Sequence, residues 1–275
     1  MLLPPLSIPE PYDFELSTRR FRAYGPDLAN LWVEDGLHRV VAGREVRIVA
    51  APGGVDVEPL DDEIARVVRL LLGLPFDLGP FYDFAGHDPV LADLSTRLRG
   101  LRPPLAPNPF ESLVTSITAQ QVSLHAAFAI RTRLIERFGE RGTHAVSFPT
   151  AERLAAAGEE ELVALGFSRR KAEYVLGLAR SELDLNGLAS RSDEEVKHRL
   201  TALRGLGEWT ADWFLARHLA RPRAWPAGDL GLRKAVATFY GPIDDVRAFG
   251  DRFAPFENLT AHYLLTGLYA AASGV

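Results

Sequence analysis

The chain has no cysteine, a single methionine and no excess of positive charge. Without thiols, disulfides, thiolate zinc sites and cysteine-ligated iron–sulfur clusters are excluded, and the composition fits a reducing compartment. No apolar run reaches 18 residues and no basic-then-apolar signal opens the chain, so neither membrane insertion nor secretion is expected. There is no Gly-rich nucleotide loop, no Ser/His/Asp ordering and no histidine pair at metal-binding spacing, which disfavours a small-molecule enzyme. His87 and His125 read as packing or surface residues. The net charge of −5 argues against indiscriminate coating of nucleic acid. Any such contact needs a local basic surface, for which Arg169-Arg170-Lys171, Arg199, Arg204, Arg217, Arg221, Arg223, Arg233 and Lys234 are candidates.

What is present is enough for two domains, since 275 residues can bury a large core. Residues 1–100 predict a small α+β domain. Phe14, Leu16, Phe21, Tyr24 and Leu31-Trp32-Val33 read as strands, followed by His38–Val41, Val46–Val49 and Val55–Val57 with glycine turns, an antiparallel meander. Asp61 or Asp62 then caps a helix, and Asp88-Pro89 opens another. No cluster in this part looks like a site. Leu101-Arg102-Pro103-Pro104-Leu105-Ala106-Pro107 is the expected linker, since its prolines cannot continue a helix or join a sheet interior. Residues 101–275 read as helices throughout, opened by such caps as Asn108, Ser123, Thr150, Ser168 and Ser192.

One stretch organises the helical part: Leu203-Arg204-Gly205-Leu206-Gly207-Glu208-Trp209-Thr210. Two glycines around one leucine allow a tight turn between helices, because glycine accepts positive φ and close backbone approach. Such a turn aims the free N–H groups of the following helix outward, where they suit a phosphate. Trp209 and Trp213 fall at i and i+4 on one side of that helix.

Four pieces in order now resemble the helix-hairpin-helix DNA base-excision glycosylases, in the 3-methyladenine DNA glycosylase II branch. They are Phe110–Val114 with Gln120-Gln121-Val122-Ser123, Phe148-Pro149-Thr150 with Leu165-Gly166 and Arg170-Lys171-Ala172, the hairpin 203–210, and Pro226-Ala227-Gly228-Asp229-Leu230-Gly231-Leu232-Arg233. The resemblance implies a mainly α fold, a glycosylase core of two helical subdomains behind the α+β domain. It implies that Asp229 is the catalytic carboxylate, stabilising positive charge on the deoxyribose and taking a proton from the attacking water. An aspartate before a helix is ordinarily only an N-cap. The motif context reverses that reading.

In relatives that also cut the strand, a lysine attacks the sugar from the start of the hairpin's second helix. Trp209 stands there, and indole forms no Schiff base, so the resemblance implies a monofunctional enzyme leaving an abasic site. It also implies an aromatic wall of Trp209 and Trp213 for a cationic alkylated base, with Trp225, Phe110 and Tyr263 as further pocket candidates. Gln121 is the expected wedge filling the space of the flipped base, with Gln120 more structural. Gly205, Gly207, Trp209, Thr210 and Arg204 are the expected phosphate contacts, and the carbonyls of Thr201, Leu203 and Leu206 would hold Na+ or K+. No catalytic cofactor is expected. The partner would be double-stranded DNA carrying damaged bases, met by a monomer in the cytoplasm, nucleoid-associated if the source is prokaryotic. Glu208, Glu257 and Leu265 depart from the family pattern. Oxidised or deaminated bases such as 8-oxoguanine are an alternative substrate class, and a non-catalytic DNA-binding protein is the alternative to an enzyme.

Overall fold

The structure, a computed structural model, describes residues 5–34 and 36–272. Five strands, β1 (Leu6–Ser7), β2 (Leu31–Val33), β3 (Gly36–Val41), β4 (Arg44–Ala51) and β5 (Gly54–Glu58), form an antiparallel sheet in the order β1-β5-β4-β3-β2. Ala42 and Gly43 both take positive φ, the tight turn whose twist matches the two strands it joins. Register places Leu37 opposite Ile48, and both are fully buried in a cluster with Ile64, Val68 and Leu71 of the helix Asp62–Leu71. Asp61 caps that helix through the Ile64 N–H. Phe14, Leu16 and Phe21 are not in strands. Asp13 accepts the Leu16 N–H and nucleates the helix Phe14–Thr18, which tightens into a 3-10 turn through Phe21.

The rest is helical, as its caps and stripes predict. Asn108, Ser123, Thr150, Ser168 and Ser192 each accept the backbone N–H three residues on. The carboxylate of Glu195, three residues after the Ser192 cap, accepts from Arg199 one turn later. The helices Leu78–Ala85 and Pro89–Arg97, read in sequence with the first segment, pack into the core of the helical body, which runs from Phe76 to Leu268. Among the described residues no helix is long and apolar enough to cross a membrane.

The proline stretch is a buried seam and not a free linker. Leu101, Arg102 and Leu105 are nearly inaccessible. Arg102 donates to the carbonyls of Phe76 and Pro9, the Leu105 N–H reaches Leu70, and the Ala106 N–H reaches Arg217. Prolines lack donors, so burying them beside both halves strands few backbone groups.

A second join is ionic. Arg39, on the same face of the sheet as Leu37, donates to Asn30 Oδ1 at 2.7 Å and Glu111 Oε2 at 2.5 Å. Arg131 donates to Glu111 Oε1 at 2.6 Å and also to Asp27, whose Oδ2 accepts from Asn30 at 2.9 Å. All five groups are buried, so each charge depends on its partners. Replacing Arg131 with Met leaves two buried carboxylates short of a cation. Urea denaturation of that variant is expected to show a loss of about 3–5 kcal/mol.

Candidate active site at the helical hairpin

The helix Asp193–Thr201 turns through Gly205 at φ +90° into the helix Glu208–Arg217. The ring of Tyr174 packs on the Gly205 backbone so closely that a Cβ would overlap it. Gln120 Nε2 donates to the Gly205 carbonyl at 2.9 Å and stands 3.4 Å from Thr210 Oγ1, tying this turn to the end of the helix Pro109–Ala119. Gly207 is the N-cap and supplies no side-chain acceptor, so the first N–H groups of the second helix are left to other partners.

That helix carries two indoles to one carboxylate. Trp209 Nε1 lies 2.8 Å and Trp213 Nε1 3.0 Å from Asp229 Oδ2. Asp229 Oδ1 accepts the Leu232 N–H at 2.9 Å, capping the helix Leu230–Tyr240. A carboxylate offers roughly four acceptor positions, and three are filled here by protein donors. The fourth is available to a water or to developing positive charge. Gly231 lets the groups converge, since a Cβ there would sit 3.0 Å from Asp229 Oδ1 and 3.1 Å from the Tyr269 hydroxyl. Leu230, next to the acid, is 80% exposed.

Asp229, Trp209 and Trp213 border a cavity of about 880 Å³. Its other walls come from the N-terminal segment, the proline stretch 101–107 and the helices Pro109–Ala119, Leu124–Phe138 and Glu257–Ala272. Tyr24 is the centre of an aromatic cluster there, with ring centroids 5.4 Å from His125 and Phe128 and 6.5 Å from Tyr269. Arg217 lies over the Trp213 ring at 3.5 Å. Burial pushes its pKa far down, with Arg20 adding repulsion and Asp229 opposing, yet a guanidinium stays charged. Burial, then Arg217 and Arg20, push His262 well below the ordinary histidine range, so its ring is neutral. Arg217 Nε and His262 Nε2 have no hydrogen-bond partner among the described residues.

A family model described as HhH-GPD superfamily base excision DNA repair protein matches residues 114–247, which hold both the hairpin and Asp229. DNA-3-methyladenine glycosylase 1 of Schizosaccharomyces pombe is 35% identical over 170 residues, covering 57% of this chain and 71% of the relative. The chain belongs to the HhH-GPD superfamily. DNA-3-methyladenine glycosylase of Bacillus subtilis is 32% identical over 183 residues, 64% of this chain, and the match spans 60% of that relative's length. The solved 3-methyladenine DNA glycosylase from Archaeoglobus fulgidus superposes with a TM-score of 0.85 at 29% identity, covering 94% of this chain and 96% of that one.

Within this HhH-GPD frame several sequence-predicted residues sit elsewhere than expected. Trp225 is buried against Phe253 and donates to the Val246 carbonyl, Tyr263 is fully buried and donates to the Leu101 carbonyl, and Phe110 lies in the helical core. None of the three borders the cavity. Trp213 is 3% exposed with its face covered by Arg217, so it serves as a donor to Asp229 and not as a stacking wall. Thr210 is buried beneath the turn and faces Gln120. Gln121 is exposed at φ +54° between two helices. Arg204 is paired with Glu173, and Leu203's carbonyl already accepts the Leu206 N–H.

The basic surface also shrinks, because Arg169, Arg199, Arg221 and Arg223 pair with acids. Among the described residues Arg170, Arg233 and Lys234 are exposed without an ion-pair partner. Glu208 is neutralised by Arg247 at 2.9 Å, and Glu257 is buried against Arg223. Leu265 borders the cavity. Sequence reasoning missed Arg20, Tyr24, Phe128, His262 and Tyr269 as cavity residues. The only signal was the aromatic content of segments that had no motif.

Gly205→Ala forces a side chain into the Tyr174 ring at a φ that disfavours one. It is expected to lower Tm and weaken DNA binding together, read by thermal unfolding and fluorescence anisotropy. Replacing both Trp209 and Trp213 with Phe keeps the rings and deletes both donors to Asp229. Single-turnover base release is expected to fall by about tenfold or more, because hydrogen bonds to charged groups contribute about 1.5–3 kcal/mol each.

Proposed function

We propose that this protein is a monofunctional DNA glycosylase that excises alkylated purines such as 3-methyladenine and leaves an abasic site. The observation that carries this is the Asp229 carboxylate, oriented by three donors with one acceptor position left, at the edge of a cavity large enough for a base. The damaged nucleotide flips into that cavity and its base lies among Tyr24, Phe128, Tyr269 and Trp209, whose ring faces favour an electron-poor alkylated purine. The C1′–N bond breaks and its electron pair leaves with the base, which departs neutral if alkylation had made it cationic. Asp229 stabilises the positive sugar, then accepts a proton as water adds its hydroxyl to C1′. The residue where strand-cutting relatives carry a lysine is Trp209, so no Schiff base forms.

The N–H groups after Gly207 grip a phosphate, and exposed Gln121 enters the duplex at the space the base vacates. A Na+ or K+ ion would be held by carbonyls of Thr201, Leu203 and Leu206. Neutral oxygens at a helix C-terminus carry partial negative charge, and the one hydrogen bond already on Leu203 leaves its second lone pair for an ion. Its contribution would be to hold the hairpin rigid against the backbone phosphate. The substrate is double-stranded DNA inside the cell, and one chain supplies every residue of this machinery.

One observation favours a wider lesion range. Arg217 Nε and His262 Nε2 stand unpartnered beside the cavity with Arg20, a polar set suited to a base bearing an added carbonyl oxygen. A panel of duplexes carrying 3-methyladenine, 7-methylguanine, hypoxanthine or 8-oxoguanine decides. Excision of the methylated bases is expected, and Asp229→Asn is expected to retain duplex binding while losing about 10²- to 10⁴-fold in release rate. Unchanged release by that variant would refute the role of Asp229. Binding with no release of any lesion would favour a DNA-binding protein without catalysis.

A further inference from the structure

His38, Glu45 and His144 bring two imidazoles and a carboxylate together outside the cavity, from segments about a hundred residues apart. Val40 pairs with Glu45 across the hairpin of β3 and β4, so His38 is Glu45's diagonal neighbour on the same face. The loop between the helices Leu124–Phe138 and Ala151–Ala155 lays His144 over them. His38 Nδ1 is 2.8 Å and His144 Nδ1 2.9 Å from the same oxygen, Glu45 Oε1. The two ring centroids are 4.7 Å apart.

A hydrogen-bonded clamp between sheet and loop accounts for some of this, but the surroundings do more than a clamp requires. Glu45 Oε2 accepts the backbone N–H groups of His144 at 2.8 Å and Ala145 at 3.2 Å, which fixes the carboxylate and leaves Oε1 facing both rings. This is the supporting layer that orients a metal-binding carboxylate. A Cβ on Gly142 would sit 2.3 Å from Glu45 Oε2 and 3.1 Å from the Ala145 carbonyl, so glycine there lets the loop lie directly against the carboxylate. The His38 and Glu45 side chains are 8% and 13% exposed, while that of His144 is 44% exposed. One side of the cluster is therefore open, giving an ion a path in and a water a place to bind.

We infer that His38 Nδ1, Glu45 Oε1 and His144 Nδ1 form a site for a divalent transition ion of the zinc type, with water as the fourth ligand. Two imidazoles and one carboxylate around an open position are a donor set that zinc accepts. Ligand atoms about 2.0–2.1 Å from a tetrahedral ion stand roughly 3.3 Å apart, so the cluster must spread by about half an ångström from its hydrogen-bonded distances. His144, on an exposed loop, can supply that movement. On binding, each ring carries its proton on Nε2 and offers Nδ1 to the ion. The ion would then staple the β3–β4 hairpin to the loop of the helical body, which neither histidine's own stretch of sequence foretells.

Chelator-treated full-length protein titrated with Co2+ and with Zn2+ tests the site. One equivalent of Co2+ is expected to produce the visible absorption of a four-coordinate ion, and Zn2+ is expected to raise Tm. His144→Ala, at an exposed position, and Glu45→Gln, which keeps the side-chain shape, are expected to weaken binding by at least about tenfold. Absence of a stoichiometric Co2+ spectrum, or His144→Ala binding as tightly as the parent, would overturn the site and leave a hydrogen-bonded clamp. Base excision by His144→Ala is expected to match the parent, because none of the three residues borders the cavity.

Discussion

Two oxygens of one carboxylate do different work at the centre of this molecule. Asp229 Oδ1 begins a helix through the Leu232 N–H, and Oδ2 takes two indole N–H groups from the helix that follows the hairpin. The first bond fixes where the acid stands and the second pair fixes which way it faces. A hairpin that turned differently would carry Trp209 and Trp213 away from it. The turn in turn depends on Gly205, whose backbone lies against the Tyr174 ring, and on Gln120, which reaches its carbonyl from another helix.

The second dependence lies in the cavity wall. Arg39, Glu111, Arg131, Asp27 and Asn30 bond one another in the interior, where none could stand alone. Together with the buried proline seam they hold the N-terminal segment against the helices, so Arg20 and Tyr24 become walls of the cavity. The α+β part is therefore part of the site's construction. Glu45 joins the sheet to the helical body at a separate point, away from the cavity. Burial raises its pKa, but the His144 backbone and ring, the His38 ring and the Ala145 N–H outweigh that and hold it down, to about 2.

Much of the frame was legible in local sequence. Caps at Asn108, Ser123, Ser168 and Ser192 act over three residues, and the strands of the meander are bounded by their own glycine turns. Phe14 to Phe21 misled because their spacing suits a strand equally well, and one capping bond from Asp13 decided for helix. The placement of the aromatic residues is not a local property. Trp225 and Tyr263 look like pocket residues in sequence, yet each found a carbonyl in the core, where burying an indole or phenol with its polar atom satisfied is favourable.

The hairpin, the acid beyond it and the absence of lysine at Trp209 are written in local sequence, because these are short-range patterns of turn and cap chemistry. Composition alone leaves no thiol chemistry open to this chain. Folding alone sets Arg217 inside on the face of Trp213, pairs Glu208 with Arg247 and brings His38 to His144. Each of those depends on which surfaces are brought together over long separations. A charge or ring written in sequence has no partner until the chain folds, and the partner sets whether it is surface, core or site.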